Sequence, residues 1–128
     1  MPEMNVLTVE NLFYSYPDEK TAAVNKVSFC IKRASYTAIA GKNGSGKTSL
    51  IKLIAGLYKP SAGNIFIGSK NINSLSRDAL HREFSVVFQD YAVWPHLTVW
   101  ENVVYPMKKR KMPKDIIAQK AEFALKQV

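Results

Sequence analysis

Short apolar runs separated by polar turns recur along the chain as far as residue 88. They cover residues 6–9, 27–31, 36–40, 65–68 and 85–88. In 27–31 apolar and polar residues alternate, which is typical of a half-buried strand, whereas the short continuous run at 36–40 is typical of a buried one. The pattern predicts an antiparallel piece formed by the early strands beside a core of strands and a helix.

A first helix is expected after the run at 36–40, starting near Gly46. Apolar residues at 50, 51, 53 and 54 share one helical face until Gly56, which can end the helix. A shorter helical turn is expected at 77–82. The only plausible internal boundary lies near Gln89, because strands and one long helix alternate before it and the chain is almost entirely helical after it.

Two further helices are expected after this boundary. Thr98 and Glu101 have the form of a capping box, and Pro106 should kink or shorten the helix that they start. The last helix begins near Pro113, which suits a first helical position. It reaches Val128 without Gly, Asn or Pro to stop it, which indicates that the natural chain continues.

One segment fits the pattern G-x-x-x-x-G-K-[ST]: Gly41-Lys42-Asn43-Gly44-Ser45-Gly46-Lys47-Thr48. It stands between a predicted strand and a predicted helix. Its glycines let successive backbone N–H groups point inward, and the helix start adds a positive dipole end. Lys47 would reach the β and γ phosphates of a nucleotide, and the Thr48 hydroxyl would ligate Mg²⁺. The alternative is a glycine-rich turn that binds no ligand.

Two isolated residues are further candidates. Tyr16 could stack its ring on an adenine, although composition alone favours an ordinary strand aromatic. Gln89 follows a predicted strand, at the end where α/β sheets present ligand groups. Its amide oxygen could ligate Mg²⁺ or hold a water, or it could simply be a solvated strand end. His81 and His96 have no cluster of partners, so neither is a candidate metal ligand.

The composition is that of one globular domain, with 128 residues of which 47% are apolar. No apolar run approaches the roughly 20 residues that cross a bilayer, and the start lacks the pattern of a secretory signal. A cytoplasmic location is therefore expected. Cys30 is the only cysteine, which excludes a disulfide framework and a cysteine metal site. It is expected to be a small buried hydrophobe.

The formal net charge is +8, from 18 basic and 10 acidic residues. Nucleic acid, anionic lipid and nucleotide phosphate are all possible partners of such a surface. The densest basic block lies at 108–111. It is interpreted as a solvated helix end, with a patch facing lipid head groups or an acidic partner loop as the alternative.

Four segments in matching order resemble the nucleotide-binding domain of ATP-binding-cassette (ABC) transporters: 12–17, 27–29, 53–63 and 86–90. They are similar to the family's aromatic loop, the strand before its phosphate loop, the helix and turn after that loop, and its glutamine loop. The resemblance implies an α/β fold, with a P-loop ABC ATPase core, an antiparallel β piece and the start of a helical subdomain. It favours Tyr16 as the adenine-stacking residue and places Gln89 at a Mg²⁺-contacting position.

The resemblance also implies cofactors, partners and a location. The cofactors would be ATP and Mg²⁺, and the activity would couple ATP binding and hydrolysis to solute transport from the cytoplasmic face of the membrane. The partners would be transmembrane permease subunits and a second ATP-binding subunit, with no specific nucleic acid. Residues 91–103 look most like importer-type ATPases, and Trp94 or Trp100 could be exposed anchors for the permease or core residues of the helical subdomain.

The second half of the family's pattern is missing. No Leu-Ser-Gly-Gly-Gln signature occurs, no apolar strand ends in Asp-Glu, and no histidine stands at the switch position. No catalytic residue is therefore assigned. The expected organisation is one partial nucleotide-binding domain over 1–128, with a nucleotide-binding core at 1–88 and the glutamine loop and start of the helical subdomain at 89–128. Such a chain alone should bind nucleotide weakly and turn over little or none.

Three classes of function remain open. The first is an energy-coupling transport ATPase. The second is a catalytically incompetent fragment that sequesters nucleotide or competes for the permease surface. The third is a soluble ABC-type protein acting on nucleic acid or ribosomes, which only the positive charge suggests. Small kinases and GTPases fit poorly, because they do not explain Tyr16, the strand before the loop and Gln89 together.

Overall fold

A computed structural model describes residues 5–89 and 93–128, and the chain divides into two compact units, Met1–Val86 and Val87–Val128. The first unit contains strands β1 (Asn5–Tyr14), β2 (Val24–Lys32), β3 (Ala62–Ile67) and β4 (Lys70–Asn71). It also contains helix α1 (Lys47–Ile54), a 3₁₀ turn (Ile72–Ser74) and helix α2 (Arg77–Glu83). The second unit contains helices α3 (Val99–Lys109) and α4 (Lys114–Leu125).

The four strands form an antiparallel sheet in the order β2-β1-β3-β4. Thr8 in the central strand β1 pairs with Cys30 on one side and with Phe66 on the other. The register of β1 against β2 shifts between Val9 and Leu12, where Asn11 has a positive φ of 45°. The amide of Asn11 donates instead to Ser28 Oγ at 2.7 Å. The predicted antiparallel piece is thus confirmed.

The core of the first unit lies where the sheet meets helix α1. Its buried members are Val9, Leu12, Val24, Leu50, Leu53, Ile65, Ile72 and Leu80. Leu53 is completely buried, so the predicted apolar face of α1 is confirmed there. Ile51 was expected on the same face but is exposed. With 3.6 residues per turn, a residue two positions before Leu53 points away from the face that Leu50 and Leu53 share.

Two predicted buried strands are wrong. Residues 36–40 and 85–88 are not strands, and Tyr36 and Val87 are exposed, Val87 to 85%. Apolar composition identifies a segment that can be buried, but a strand also needs a hydrogen-bonded neighbour on at least one side. In the described residues the sheet consists of β2, β1, β3 and β4, and neither segment pairs with it.

The alternation predicted in β2 is confirmed, but its consequence for Cys30 was misjudged. Val27, Phe29 and Ile31 are partly buried, and the residues between them are exposed. Cys30 is therefore exposed, contrary to the expectation of a small buried hydrophobe. Successive side chains of a strand point to opposite faces, so Cys30 shares the solvent face with Ser28.

In the second unit, helices α3 and α4 pack around Val104, Ile117 and Ala121. The predicted capping box is confirmed: the amide of Glu101 donates to Thr98 Oγ1 at 3.2 Å, and the amide of Thr98 donates to Glu101 Oε2 at 2.8 Å. The Thr98 hydroxyl also donates to Glu101 Oε2, at 2.9 Å. The two hydrogen bonds that this carboxylate accepts, from the backbone amide and the hydroxyl of Thr98, lower the pKa of Glu101. The charged form of Glu101 is thus the one that holds the helix start.

Pro106 does not end helix α3, which continues to Lys109. The missing N–H of a proline removes one helical hydrogen bond, but the carbonyl of Pro106 still accepts from the amide of Arg110 at 3.1 Å. Lys108 and Lys109 lie in the last turn, where cations suit the helix dipole. The basic block at 108–111 therefore lies at a helix end, as expected.

The loop before α3 is tied to that helix by one side chain. Asn102 Oδ1 accepts from the Trp94 amide at 2.8 Å, and Asn102 Nδ2 lies 3.0–3.1 Å from the carbonyls of Trp94, Leu97 and Thr98. The Thr98 carbonyl also accepts from the backbone amide of Asn102 at 2.9 Å. The two N–H donors of Nδ2 are thus shared among three nearby carbonyls, and together with Oδ1 they hold the loop at 94–98 in a defined conformation.

Candidate functional site

The phosphate-loop motif forms a turn that leads directly into helix α1. Residues 41–46 are neither strand nor helix, and the Ser45 amide donates to the Lys42 carbonyl at 3.2 Å. Gly46 is the N-cap of α1, and its carbonyl accepts from the Leu50 amide at 2.8 Å. The helix begins at Lys47, as the motif predicts.

The backbone of this turn depends on glycine at two places. Gly44 and Gly46 have φ values of 80° and 84°, in the left-handed region that other residues rarely adopt. A Cβ on Gly46 would also collide with the carbonyl oxygen of Ala23, whereas a Cβ on Gly44 would meet nothing within 4 Å. Both positions therefore need glycine for its positive φ, and Gly46 also needs it because there is no room for a side chain beside Ala23.

Lys47 folds back onto the loop that precedes it. Its Nζ donates to the carbonyls of Gly41 at 2.8 Å and Lys42 at 2.7 Å. Both partners are neutral, so they orient the ammonium without neutralising its charge. A phosphate oxygen is a stronger acceptor for an ammonium than a carbonyl is, because its hydrogen bond is assisted by charge. The arrangement suits an anionic ligand at the mouth of the loop.

The start of α1 adds further donors. The first N–H groups of a helix have no partner within the helix, and they carry the positive end of its dipole. The first turn of α1 contains no acidic residue that would occupy or neutralise them. Thr48 is exposed in this turn, so its hydroxyl is available to a metal ion or a ligand. Together with Lys47, these groups make a donor set that fits a polyphosphate.

Tyr16 lies against the same helix. Its hydroxyl is 2.8 Å from the hydroxyl of Ser49, which is buried in the first turns of α1. The ring of Tyr16 meets those of Tyr14 and Tyr58 nearly at right angles, with centroids 5.1 and 5.9 Å apart. Partial burial of Tyr14, together with the neighbouring hydroxyls of Tyr16 and Tyr58, raises the pKa of the Tyr14 hydroxyl. The structure thus brings Tyr16 to the first turn of α1, next to the end of the loop at 41–48.

Gln89 falls in the other unit. It is exposed and is the last described residue before 90–92. Its proposed contact with Mg²⁺ therefore stays a prediction, as do the nucleotide contacts of Tyr16 and of residues 41–48. Asp90, Tyr91 and Ala92 of the glutamine-loop segments lie outside the described residues.

Sequence reasoning missed Ser49, Tyr14 and Tyr58. Ser49 is buried in α1. The sequence signal for it was its position directly after the motif and next to the apolar residues of the helix. A buried hydroxyl requires a partner, and that partner is the hydroxyl of Tyr16. The stacking of Tyr14 on Tyr58, with centroids 5.4 Å apart, joins residues far apart in sequence and had no local signal.

Residues 5–89 and 93–128 contain neither a cluster of metal-ligating side chains nor a helix that could span a membrane. No group of three His, Cys, Asp or Glu side chains could hold a metal ion there. Within the same residues, each helix is too short or too polar to cross a membrane. The hydroxyl of Thr48 and the amide of Gln89 remain the candidate ligands of Mg²⁺.

The second unit exposes aromatic side chains around its first helix. Trp94 is 49% exposed and Trp100 is 40% exposed, and neither belongs to the core of the unit. The ring of Trp94 lies 5.8 Å from that of Tyr105, and Lys109 Nζ lies 5.6 Å from the centre of the Tyr105 ring. The described surface of this unit therefore combines aromatic rings with basic residues.

A family model described as ABC transporter matches residues 24–128. Among solved structures, CbiO1 from Clostridium perfringens, part of the ABC transporter complex cbiONQ, is 35% identical with a TM-score of 0.78. That match covers 97% of this chain and 50% of CbiO1. The chain thus spans about half the length of this relative.

Two further structures give the same result. The ATP-binding cassette MJ0796, in a dimeric post-hydrolysis state bound to ADP and Pi, is 28% identical with a TM-score of 0.80, over 94% of this chain and 56% of that one. A bacterial Atm1-family ABC exporter with ATP bound is 26% identical with a TM-score of 0.72, over 82% of this chain and 18% of that one. The predicted fold class is confirmed by these cassettes, and with a family model that matches most of its length, this chain belongs to the ABC transporter family.

Proposed function

We propose that this chain binds Mg²⁺-ATP through its phosphate loop, as part of a transporter subunit that couples ATP binding and hydrolysis to solute transport across the cytoplasmic membrane. The observation that carries the proposal is the position of Lys47, whose ammonium is held by the carbonyls of Gly41 and Lys42 at the start of α1. Two of the related structures hold ADP and Pi or ATP, which supports the choice of ligand.

The phosphate tail would be bound by the loop. Amides between Gly44 and Ser49 would donate to phosphate oxygens, and the ammonium of Lys47 would exchange its carbonyl partners for the β and γ phosphates. The Thr48 hydroxyl would ligate Mg²⁺, which supplies positive charge against the phosphates. Gln89 is proposed as a Mg²⁺ ligand only on the resemblance of residues 86–90 to the family's glutamine loop.

The base would be bound by Tyr16. An aromatic ring stacked on a base contributes about 1–3 kcal/mol to the binding free energy, and it does so for any base. Its proximity to α1 through Ser49 supports this role, since a nucleotide places its base and phosphates within one short molecule. We therefore propose Tyr16 as the residue that favours ATP over a bare polyphosphate.

Hydrolysis by this chain alone would be slow or absent. Phosphoryl transfer depends on positioning and on charge stabilisation around the reacting phosphate. The residues from Gly41 to Thr48 supply amides, an ammonium and a hydroxyl, but no carboxylate that would orient the attacking water. A multiple-turnover assay is expected to show little phosphate release, and steady release would contradict this part of the proposal while leaving ATP binding intact.

The partners would be permease subunits and a second ATP-binding subunit, on the cytoplasmic face of the membrane. CbiO1 is part of a transporter complex and MJ0796 is dimeric, which supports both kinds of partner. The exposed Trp94 and Trp100 are the proposed anchors for a permease, because large aromatic side chains often dominate an interface. Salt-sensitive binding of DNA or RNA, in place of a membrane subunit, would support the nucleic-acid alternative instead.

Calorimetric titration with Mg²⁺-ATP tests the site. Lys47→Ala removes the ammonium and should weaken binding about 10- to 100-fold, which corresponds to the roughly 1.5–3 kcal/mol of a hydrogen bond to a charged group. Lys59→Ala is the control, because it removes an equal charge from an exposed residue beyond α1. Equal affinities of the two variants would contradict the proposal.

A further inference from the structure

The segment from Ser15 to Ala23, here called the tyrosine loop, is closed by its own hydrogen bonds. The Glu19 amide donates to the Tyr16 carbonyl at 3.1 Å, which makes a turn that begins at Tyr16. Ser15 Oγ donates to the carbonyl of Glu19 at 3.1 Å and lies 3.4 Å from that of Thr21. The conformation of the loop is therefore fixed locally before any ligand binds.

Both ends of the tyrosine loop also touch the phosphate loop and its helix. At one end the Tyr16 hydroxyl bonds to Ser49 at 2.8 Å. At the other end the Ala23 carbonyl lies so close to Gly46 that a Cβ there would have no room. Ser49 and Gly46 stand in the first turn and at the N-cap of α1. The segment that carries the tyrosine is thus fixed to the helix that carries the phosphate donors.

Neighbouring aromatic side chains hold the Tyr16 ring from a second side. Tyr58 follows the C-terminus of α1, and its hydroxyl accepts from Lys52 Nζ at 3.3 Å. Its ring stacks on that of Tyr14 at an interplanar angle of 18°, and Tyr16 stands at 84° to it. The hydroxyl of Tyr16 is therefore restrained by Ser49 of α1. Its ring is restrained by Tyr58, which is itself hydrogen-bonded to Lys52 of α1.

We propose that Ser49 is a positioning residue for the nucleotide base: its hydroxyl orients Tyr16 so that the ring is ready to stack on a base whose phosphates occupy the phosphate loop. The inference rests on the proposed function of that loop. A ring already restrained loses less conformational entropy when a ligand binds, so pre-orientation raises affinity without a new contact to the ligand. In this role the Ser49 hydroxyl contacts Tyr16 and not a phosphate, and it affects the base only through the orientation of the tyrosine ring.

The test compares two ligands that differ only in the nucleoside. Affinities for Mg²⁺-ATP and for Mg²⁺-tripolyphosphate are measured for wild type, Tyr16→Phe, Ser49→Ala and the double variant. Tyr16→Phe keeps the ring and removes only the hydroxyl. Each single variant should weaken ATP binding about 3- to 10-fold and leave tripolyphosphate binding within about 2-fold. The double variant should lose no more than either single one, because both remove the same hydrogen bond.

The controls remove equivalent hydroxyls elsewhere. Tyr36→Phe alters a fully exposed tyrosine, and Ser61→Ala alters an exposed serine after α1. Both should leave the two affinities unchanged. A thermal unfolding curve for each variant separates an altered ring position from a general loss of folded protein.

Three outcomes would overturn the inference. Equal weakening of ATP and tripolyphosphate by Ser49→Ala would mean that Ser49 acts on the phosphates. Losses that add in the double variant would mean that the two hydroxyls act separately. A wild-type chain that binds tripolyphosphate but gains nothing from the nucleoside would leave the phosphate loop intact as a site and refute the role of Tyr16, whereas no binding of either ligand would refute the proposed function itself.

Discussion

The carbonyl oxygen of Ala23 occupies the space that a Cβ atom on Gly46 would need. Gly46 also has a φ of 84°, so its backbone and its surroundings both require glycine. This close approach fixes the tyrosine loop against the start of α1. The shape of the phosphate loop is therefore supported by a segment that precedes it by many residues.

Substitutions at Gly44 and Gly46 separate backbone strain from crowding. Gly44→Ala should lower the free energy of unfolding of the first unit by about 1–2 kcal/mol, the cost of a left-handed conformation for an L-residue. Gly46→Ala has a similar strain and must also displace Ala23, so its effect should be larger. Amide hydrogen exchange of β1 and β2 measures both. Equal effects of the two substitutions would show that Ala23 can move away from a side chain at residue 46 without a measurable loss of stability.

The helix start at Thr98 should depend on pH through Glu101. Hydrogen bonds from Thr98 lower the pKa of this carboxyl, so its stabilising contribution is present above the ordinary value of 4.5 and is lost as pH falls through the lower value of the folded state. Helicity of the second unit, followed by circular dichroism, should fall in that acidic range. Glu101→Gln removes the titrating group and should flatten this part of the profile.

Thr98→Ala tests the other half of the capping box. It removes the side-chain acceptor of the Glu101 amide and should lower the free energy of unfolding of the second unit by about 1 kcal/mol. Trp94 and Trp100 are the only tryptophans and both lie in that unit, so their fluorescence during urea unfolding reports it selectively. An unchanged midpoint would show that the cap contributes nothing.

Asn102→Ala should destabilise the same unit by about 1–3 kcal/mol, because it removes the acceptor of the Trp94 amide and the two N–H donors that lie near three carbonyls of the loop at 94–98. Asn102→Asp keeps the acceptor for the Trp94 amide but replaces the donor by an oxygen. It should be no more stable than Asn102→Ala, because three carbonyls then face a carboxylate. Wild-type stability of Asn102→Asp would contradict the role given to the amide donor.

Features that depend on local sequence were predicted correctly. The capping box of Thr98 and Glu101, the strand alternation of Val27 and Phe29, and the helix that starts at Lys47 all follow from residues within one or two turns of each other. Each can be identified without knowledge of the rest of the fold, because its hydrogen bonds or its periodicity are local.

Features that depend on distant partners were not predictable. The run at 36–40 is apolar enough for a buried strand, but a strand also needs a neighbour, and none of the described strands pairs with it. The contact between Tyr16 and Ser49 joins two residues 33 positions apart, and no periodicity indicates such a pair. The candidate site was therefore predicted at 41–48, while the groups that hold Tyr16 beside it became evident only in the structure.

Amide spectra of the labelled chain, recorded during titration with Mg²⁺-ATP, test the central claim most directly. The signals of Gly44, Gly46 and Lys47 should move and saturate together, because their N–H groups are the proposed phosphate donors. In Lys47→Ala the same movement should require much higher nucleotide concentrations. Saturable binding that leaves these three signals in place would contradict the account.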